Sequence, residues 1–417
     1  MGLARSGAAI ARALAERGEE VFGVDAGHPE QAQGLGGTGV EVILDADGIN
    51  LLPRVRCVVK SPGVPNDAPV IAAAREAGTP VIGELEAAWR MLPNRFVAVT
   101  GTNGKTTVTE LIGHIHRAAG LPVAVAGNVG TPLASLIGEV GEDATIVAET
   151  SSFQLEDSDA FAPEVAVFLN FSPDHLDRHA SLDEYLAAKL RVFANQADDD
   201  VAVYDADEPA LAGRDHGGRA RRVAYRDELP VEASELSLVG NHNVRNAMAA
   251  AAASAAMGIP PEAVRDGLRS FEGVPHRLER VAEIGGVSYV NDSKATNVAA
   301  AAAAIDSFAG GVHAILGGSL KGDSSFDGLA QPVAETCTAC YLIGEATERL
   351  LDDLSPTLMA GVELHRSGDL EGAVHAAAAA AEPGDVVLLA PACASFDAYR
   401  DYEQRGEHFR EIVLGLG

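Results

Sequence analysis

Short, uninterrupted runs of apolar residues alternate along the chain with amphipathic stretches of helical period. Near the N-terminus a glycine turn opens G-L-A-R-S-G-A-A-I-A-R-A-L-A-E-R-G, which predicts a helix, and E-V-F-G-V-D then predicts a strand. Later runs end in polar residues, as buried parallel strands do, among them F-V-A-V-T, A-T-I-V-A-E-T and E-V-A-V-F-L-N, and D-V-V-L-L-A-P-A predicts a further strand near the C-terminus. This order of strand, polar tip and helix predicts an α/β protein of three consecutive doubly wound domains.

The pattern restarts twice, so the predicted domains are residues 1–92, 93–273 and 274–417. The first domain begins with a nucleotide-binding turn of the βαβ type, but Ala4 stands where the middle glycine is expected. The strand that should precede this turn is missing. Either the true start lies upstream or the domain lacks its central strand. An acidic passage over residues 198–230 predicts a loop-rich excursion at the periphery.

Composition points to a cytoplasmic protein. A length of 417 residues exceeds one ordinary core, and a net charge of −29 argues against nucleic acid or an anionic membrane as partner. Four cysteines in so long a chain indicate a reducing compartment, and we interpret Cys337 and Cys340 as parts of a strand rather than as a metal site. We find no membrane-spanning stretch and no signal-peptide pattern, and we expect a monomer.

Lysine is scarce in this chain, which has five lysines against 26 arginines. They are Lys60, Lys105, Lys189, Lys294 and Lys321, and at least four of them lie in motifs that suggest a functional site. Lysine offers a compact charge, a tunable pKa and a nucleophilic amine, which arginine does not. We therefore predict that these lysines have functions that arginine cannot perform. Chance survival under GC-rich coding bias is the alternative.

The strongest local motif is G-T-N-G-K-T-T, which lies between a predicted strand and a predicted helix. Glycines let backbone N–H groups converge on phosphate oxygens, Lys105 adds charge at the β- and γ-phosphates, and Thr106 offers a hydroxyl to Mg²⁺. The loop is shorter than the common G-x-x-x-x-G-K-[ST] form. The predicted ATP-binding loop comprises Gly101, Thr102, Asn103, Gly104, Lys105, Thr106 and Thr107.

Eight motifs, taken together and in order, resemble the Mur ligases of peptidoglycan synthesis over nearly the whole chain. They are A-V-T-G-T-N-G-K-T-T, E-T-S-S-F-Q-L-E, L-N-F-S-P-D-H-L-D-R-H, Y-L-A-A-K-L, G-N-H-N-V-R-N, P-H-R-L-E, N-D-S-K-A-T-N and L-L-A-P-A-C-A-S-F-D. The resemblance is strongest to the branch that adds D-glutamate. It implies UDP-binding, ATPase and amino-acid-binding domains in that order, and ATP-dependent ligation of D-glutamate to UDP-N-acetylmuramoyl-L-alanine through an acyl phosphate.

The same resemblance implies a catalytic site with two Mg²⁺ ions. Thr106 and Glu149 would hold the ion that bridges the β- and γ-phosphates, and His175 would hold the second. The matching lysine of the family, here Lys189, is carbamylated by CO₂ and so becomes an anion that positions a metal. From the residues alone, Lys189 would be a lysine on a helix surface. The implied catalytic residues are Lys105, Glu149, His175, Lys189 and Lys321.

The resemblance also assigns substrate contacts. Asn243 and Asn246 would contact adenine, and Arg277 and Asp292 would contact phosphate and ribose, so that domain closure around ATP is expected. The implied contacts of the UDP-linked substrate are Arg5, Ser6, Asp25, Ser61, Asn128, Ser151 and Gln154, and those of D-glutamate are Lys294, Thr296, Lys321, Ser395 and Tyr402. Ser395 and Tyr402 could also serve in packing alone. Lys60 stays undecided between a phosphate contact and a solvated charge.

Two other functions stay open. A related ligase of the family could add L-glutamate or another amino acid, although the D-N-P-R motif of the diaminopimelate-adding relative is missing. The L-alanine-adding relative commonly has His where this chain has Asn103. A phosphate-loop binding module without ligase activity is the second alternative. It would not need Lys189 or the C-terminal amino-acid pocket.

Overall fold

The structure is a computed structural model that describes residues 1–174, 178–212, 214, 217–226, 229–237, 241–320, 325–355 and 361–417. The predicted site residues His175 and Lys321 therefore lie outside the described residues. The chain forms two compact units. The first comprises Met1–Leu236 and His242–Phe271, and the second comprises Ser237–Asn241 and Glu272–Gly417.

The N-terminal part of the first unit contains two separate two-stranded parallel sheets. Its elements are α1 (Arg5–Glu16), β1 (Val21–Val24), α2 (Glu30–Gln33), β2 (Val40–Ile43), β3 (Val58–Lys60), α3 (Pro69–Glu76), β4 (Val81–Gly83) and α4 (Glu84–Met91). Strand β1 pairs with β2, and β3 pairs with β4. A turn of 3₁₀ helix covers Ile49–Arg54. The helices pack their apolar stripes against these strands.

The rest of the first unit is built on a parallel sheet of six strands in the order β10-β9-β8-β5-β7-β6. Its elements are β5 (Phe96–Thr100), α5 (Lys105–Ala118), β6 (Val123–Gly127), β7 (Thr145–Glu149), α6 (Ser152–Glu156), β8 (Val165–Phe168), α7 (Leu182–Ala194), β9 (Val201–Asp205), β10 (Arg221–Tyr225), α8 (Asn241–Ala256) and α9 (Pro261–Ser270). Short 3₁₀ turns cover Leu133–Leu136, Pro209–Leu211 and Ala233–Glu235.

Burial on both faces explains why the central strands read as continuous apolar runs. Every residue of β5 and of β8 is buried, because helices cover the two faces of the sheet. The predicted loop-rich excursion over residues 198–230 is wrong in one respect, since β9 and β10 lie within it and extend the sheet. Strand β10 forms the edge, and its exposed arginines hide the apolar pattern of a strand.

The second unit contains a six-stranded sheet in the order β11-β12-β16-β13-β14-β15, parallel except for β11. Its elements are β11 (Glu279–Ile284), β12 (Val287–Asn291), α10 (Val298–Ile305), β13 (Val312–Gly317), α11 (Ala330–Thr336), β14 (Cys337–Ile343), α12 (Thr347–Leu354), β15 (Glu363–Gly368), α13 (Leu370–Ala380), β16 (Val386–Leu389) and α14 (Tyr402–Leu414). A 3₁₀ turn covers Asp327–Leu329.

Successive residues of the second sheet enter two different cores. Ala314 and Leu316 pack on one face of β13, whereas Ile315 packs on the other. Cys337 and Cys340 lie in β14, as predicted, and both are free thiols. The predicted multi-domain α/β architecture with parallel sheets is confirmed. None of the helices in the described ranges has the length and apolarity that crossing a bilayer requires.

Candidate active site

The phosphate loop joins β5 to α5 and is held in shape by its own lysine. Lys105 begins α5, and its Nζ donates to the carbonyl oxygens of Gly101 at 3.0 Å and Thr102 at 2.8 Å. Gly104 has φ +83°, and a Cβ there would lie 2.3 Å from Oδ1 of Asn246. Only glycine fits this approach. Because the N–H groups at the start of α5 point into the loop, the site is suited to an anion.

Asn170 clamps this loop from the neighbouring strand, and the sequence analysis missed it. The Asn103 N–H donates to Oδ1 of Asn170 at 2.9 Å, and Nδ2 of Asn170 donates back to the Asn103 carbonyl at 3.1 Å. The Thr102 N–H also donates to the Asn170 carbonyl at 3.0 Å. Asn170 lies just after the end of β8. Its position as a polar residue at a strand tip is the feature of the sequence that could have identified it.

Lys189 lies inside the protein, next to the phosphate loop. It is 1% exposed on α7, its Nζ donates to the Gly101 carbonyl at 2.7 Å, and the Tyr185 ring centroid is 4.6 Å away. The helix-surface position expected from the residues alone is wrong. Burial, and after it the charge of Lys105, lowers the pKa of Lys189 to about 6. Above that pH the side chain is mainly a neutral amine.

Glu149 ends β7 as a buried carboxylate, not as a surface acid. It is 3% exposed, and its Oε1 accepts a hydrogen bond from Nδ2 of Asn128 at 3.0 Å. Gly127 has φ +124°, and a Cβ there would lie 2.2 Å from the Glu149 carbonyl oxygen. The tips of β6 and β7 are therefore locked together. This lock fixes where the carboxylate stands relative to the phosphate loop.

Of the predicted metal ligands, only Glu149 is a His, Cys, Asp or Glu side chain within the described residues. No three His, Cys, Asp or Glu side chains meet as a metal site within the residues that the structure describes. The described members of the predicted set are Thr106, Glu149 and Lys189, and His175 lies outside. Mg²⁺ prefers oxygen ligands and is usually bound by only one or two protein side chains. Phosphate oxygens of a bound nucleotide would complete its coordination.

The predicted adenine contacts lie on α8, against the phosphate loop. Asn243 and Asn246 are each 6% exposed, and Nδ2 of Asn246 donates to Oδ1 of Asn243 at 2.9 Å. The close approach of Asn246 to Gly104 places this pair beside the loop. The structure thus brings both asparagines to the loop that the sequence predicts to bind ATP.

A cavity of about 810 Å³ lies at the carboxyl ends of the N-terminal strands. Its walls include six of the seven residues predicted to contact the UDP-linked substrate, namely Arg5, Ser6, Asp25, Ser61, Asn128 and Gln154. Asp25 holds the turn before α1, because its carboxylate accepts hydrogen bonds from the N–H groups of Leu3 and Gly27. A Cβ on Gly7 would lie 1.6 Å from the Gly2 carbonyl oxygen, so the turn packs directly on the helix.

Ser151 and Gln154 cap the N-terminus of α6. The Ser151 Oγ accepts from the Gln154 N–H, and the Gln154 Oε1 accepts from the Ser151 N–H at 3.0 Å. This reciprocal pair is a capping box. Gln154 also reaches the 810 Å³ cavity. A contact of Ser151 with substrate stays a prediction.

Lys60 forms a buried ion pair, which matches neither interpretation left open for it. It is 0% exposed, and its Nζ lies 2.7 Å from Oδ2 of Asp157 and donates to the Val64 carbonyl at 2.9 Å. Arg178 donates to the carbonyls of Pro62 and Val64, at 3.1 Å each. The turn over residues 61–65, which lines the 810 Å³ cavity, is therefore held from behind by two cations.

We expect Lys60→Met to destabilise the first unit by about 3 kcal/mol, because it leaves the Asp157 carboxylate buried without its cation. Urea unfolding measures this loss. The double variant Lys60→Met, Asp157→Asn should recover part of it. Arg56→Met is the matched control, since the ion pair of Arg56 with Glu19 is solvent-exposed and is expected to contribute about 0.5 kcal/mol or less. Equal losses for Lys60→Met and Arg56→Met would contradict this account.

In the second unit, polar residues gather after β12. Asp292 accepts a hydrogen bond from the Leu278 N–H at 3.2 Å, and burial raises its pKa to about 6 against the opposing charges of Arg277 and Lys294. His276 and Leu278, on either side of Arg277, have φ of +60° and +43°. Such backbone strain in non-glycine residues concentrates at functional sites. Among the described residues, Nη1 of Arg277 has no hydrogen-bond partner and is buried.

Arg405, which the sequence analysis did not single out, ties together two loops and the end of one strand of this unit. It is 1% exposed, and its guanidinium donates to the carbonyl oxygens of Ser293, Cys393, Ala394 and Gly317. Its Nε donates to the Ser293 Oγ at 3.0 Å. Ser293 lies in the loop after β12, Cys393 and Ala394 lie in the loop after β16, and Gly317 is the last residue of β13. The predicted amino-acid contacts Lys294, Thr296 and Ser395 belong to the two loops.

Tyr402 begins α14 and stands close to Lys294. The Lys294 Nζ lies 5.8 Å from the Tyr402 ring centroid, and burial raises the pKa of Tyr402 to about 12. Ser395 is 2% exposed. The described residues of the predicted amino-acid pocket thus share one end of the second sheet.

Sequence comparison identifies relatives over the full chain. The family described as Mur ligase middle domain matches residues 99–228, and the one described as Mur ligase, glutamate ligase domain, matches residues 276–393. The chain is 43% identical to the UDP-N-acetylmuramoylalanine–D-glutamate ligase of Acidobacterium capsulatum, over 99% of this chain and 95% of that protein. It is 45% identical to the enzyme of that name from Rubrobacter xylanophilus, over 99% of this chain and 97% of that protein.

Solved structures share the fold at lower identity. The UDP-N-acetylmuramate-alanine ligase of Thermotoga maritima superposes with a TM-score of 0.60 at 19% identity and covers 100% of this chain and 98% of its own. The UDP-N-acetylmuramoylalanyl-D-glutamyl-2,6-diaminopimelate–D-alanyl-D-alanyl ligase of Acinetobacter baumannii superposes with a TM-score of 0.57 at 17% identity, with 81% of each chain covered. At such identities the likeness extends to the fold alone.

Proposed function

The chain belongs to the Mur ligase family, and from that premise we propose that it joins D-glutamate to UDP-N-acetylmuramoyl-L-alanine at the expense of ATP. The product is an amide that enters peptidoglycan precursor synthesis. The single observation that best supports ligase chemistry is the buried amine of Lys189 beside the phosphate loop, 2.7 Å from the Gly101 carbonyl. A module that only binds nucleotide has no use for this costly arrangement.

The phosphate loop suits a triphosphate. The N–H groups at the start of α5 and the Lys105 ammonium provide the positive field that phosphate oxygens require. Bound ATP would supply the phosphoryl group that converts the acceptor carboxylate into an acyl phosphate. Asn170 keeps the loop in position through its bonds to Asn103 and Thr102. We assign Asn243 and Asn246 to the adenine, and the close approach of Asn246 to Gly104 supports this assignment.

Mg²⁺ fits the oxygen donors that the site presents. Thr106 offers a hydroxyl at the start of α5, and Glu149 offers a buried carboxylate that Asn128 orients. Mur ligases in general use ATP and Mg²⁺. We propose two ions here, the second held by His175, which would together reduce the repulsion between a triphosphate and a carboxylate.

We further propose that Lys189 carries a carbamate. Carbamylation joins the neutral amine nitrogen to the carbon of CO₂ and releases one proton, so it requires an amine that is not protonated. The low pKa of Lys189 supplies such an amine at neutral pH. The resulting anion would also attract the Lys105 ammonium, because the Nζ atoms of both lysines lie beside the Gly101 carbonyl. Arginine could not replace lysine in this role.

The second unit provides the residues that we assign to the amino acid. D-Glutamate has two carboxylates, and Lys294 with the hydroxyls of Thr296, Ser395 and Tyr402 offers a cation and donors for them. We propose that Lys321 acts against the negative charge that develops as the amine attacks. We assign Arg277 and Asp292 to the phosphate and the ribose of ATP.

We also propose that the chain has three domains, which comprise residues 1–92, 93–273 and 274–417, and that the protein is a monomer.

Phosphate release tests this function. The purified protein is supplied with ATP, Mg²⁺ and UDP-N-acetylmuramoyl-L-alanine, with D-glutamate, L-glutamate or neither. We expect release to depend on D-glutamate, and we expect none when UDP-N-acetylmuramate, which lacks the alanine, replaces the acceptor. Release with L-glutamate instead would favour the related ligase. Nucleotide binding without release under any condition would favour the binding module.

A further inference from the structure

A row of stacked side chains runs from the turn over residues 61–65, which Arg178 holds, toward the phosphate loop. The guanidinium carbon of Arg178 lies 4.8 Å from the centroid of the Phe153 ring. The rings of Phe153 and His179 are stacked, with centroids 5.4 Å apart and 20° between their planes. The His179 ring centroid lies 5.2 Å from that of Tyr185. The imidazole of His179 therefore joins α6, which carries Phe153, to α7, which carries Tyr185.

Tyr185 connects this row to the phosphate loop. Its hydroxyl lies 3.3 Å from Oγ1 of Thr102, and the same Oγ1 accepts a hydrogen bond from the Ser172 N–H at 3.1 Å. The Thr102 carbonyl in turn accepts from Nζ of Lys105. Tyr185 is 1% exposed, and a close-packed interior leaves such a ring little room to move alone. A shift of the Tyr185 ring would therefore displace the loop that we predict to bind ATP.

The polar edge of His179 contacts the first turn of α6. Its Nε2 lies 3.0 Å from Oγ of Ser152, the first residue of that helix. The preceding residue, Ser151, caps the helix together with Gln154, whose side chain lines the cavity of about 810 Å³. His179 and Ser152 are both buried, so water cannot replace this hydrogen bond if it is lost. Its loss would disturb the turn that carries two predicted contacts of the UDP-linked substrate.

A histidine that served packing alone would not need these polar contacts. A phenylalanine ring would fill the same space, and it would avoid the cost of burying two ring nitrogens. The second nitrogen of His179, Nδ1, lies 3.8 Å from Oε2 of Glu156. Oε1 of Glu156 accepts a hydrogen bond from Nδ2 of Asn66 at 2.8 Å, just beyond the turn over residues 61–65. Both the ring and the nitrogens of His179 are thus engaged with neighbouring elements.

We propose that His179 is a positioning residue of the ligation, and that its ring and its Nε2 support the binding of different substrates. The ring holds Tyr185 against the phosphate loop and so supports ATP, whereas Nε2 holds the first turn of α6 and so supports the UDP-linked substrate. His179 has this role on the premise of the proposed function, which supplies both substrates. Their reacting groups must meet in alignment, and one side chain that positions both sites favours this.

Two substitutions separate the ring from the nitrogen. His179→Gln keeps a hydrogen-bonding group for Ser152 and removes the ring, whereas His179→Phe keeps a ring and removes that group. We expect His179→Gln to weaken binding of a non-hydrolysable ATP analogue about fivefold, and binding of UDP-N-acetylmuramoyl-L-alanine by less than about twofold. We expect the reverse for His179→Phe. Titration calorimetry with each ligand alone, in the presence of Mg²⁺, measures both affinities.

His114 supplies a matched control, because it has the same two kinds of contact elsewhere in the first unit. Its Nε2 lies 2.9 Å from Oγ of Ser270, and its ring centroid lies 5.4 Å from that of Phe271. We expect His114→Gln and His114→Phe to leave both affinities unchanged.

Two further variants remove the same contacts from the partner side, in case a His179 variant does not fold. Ser152→Ala removes the hydrogen bond of Nε2, and Tyr185→Phe removes the contact with Thr102. We expect Ser152→Ala to weaken only the UDP-linked substrate and Tyr185→Phe to weaken only the ATP analogue.

The separation of the two affinities decides the outcome. Selective loss of one ligand in each variant supports the proposal. Equal losses of both ligands, or losses no larger than those of the His114 variants, overturn it, because His179 would then act through packing alone. Wild-type protein that binds both ligands but releases no phosphate with D-glutamate would refute the proposed function separately. The calorimetric comparison would still decide the role of His179 in that case.

Discussion

Lys189→Ala is expected to lower turnover at least about 100-fold, and formate or acetate is expected to restore part of it. Alanine removes the amine that we propose is carbamylated, and it leaves a space beside the Gly101 carbonyl in which a small carboxylate can take the place of the carbamate. Steady-state phosphate release, measured against increasing formate, gives the result. Wild-type protein should show no gain from formate.

Lys60→Ala is the matched control for the rescue. Lys60 is the other fully buried lysine of the first unit, but it pairs with Asp157 as a cation. A carboxylate cannot replace a cation, so formate should restore nothing in this variant. Undiminished turnover of Lys189→Ala would refute the role of the amine. Restoration of both variants by formate would show an effect of the salt and not of the site.

Gly104→Ala is expected to lower turnover at subsaturating ATP by roughly 100-fold, because small displacements of a phosphate loop misplace the reacting groups. Two effects combine at this position. Alanine at φ +83° costs about 1–2 kcal/mol, and its Cβ would lie 2.3 Å from Oδ1 of Asn246. The collision pushes the loop away from the Asn243–Asn246 pair. Titration calorimetry with ATP and steady-state rates measure the two consequences.

Gly120→Ala separates strain from collision. Gly120 follows α5 at its other end with φ +70°, and a Cβ there meets nothing within 4 Å. The variant should lose about 1 kcal/mol of stability and keep its affinity for ATP. If Gly104→Ala and Gly120→Ala weakened ATP binding equally, the contact with Asn246 would have no part in nucleotide binding.

The sequence pattern predicted those features that depend on residues close together in the chain. The continuous apolar run of β5 follows from its burial on both faces, and the glycines of the phosphate loop follow from its positive φ values. The scarcity of lysine drew attention to Lys60 and Lys189, and both are buried. That they have functions which arginine cannot perform stays a prediction for Lys189, whereas Lys60 forms an ion pair with Asp157. Their surroundings could not be inferred, because Asp157 and Gly101 are distant along the chain.

Sequence reasoning failed where residues act on distant backbone. Asn170 and Arg405 bond mainly to main-chain atoms of other loops, and any sequence offers such atoms at every position. No motif therefore marks these side chains as organisers of a site. Strand β10 was missed for a different reason. It lies at the edge of the sheet, where exposed arginines replace the apolar residues of an inner strand.

The guanidinium of Arg405 couples the loops after β12 and β16 to each other and to the end of β13. A shift of either loop changes the hydrogen bonds of the other, because both bond to the same planar group. An inhibitor shaped for one loop would thus meet a site whose other walls resist adjustment.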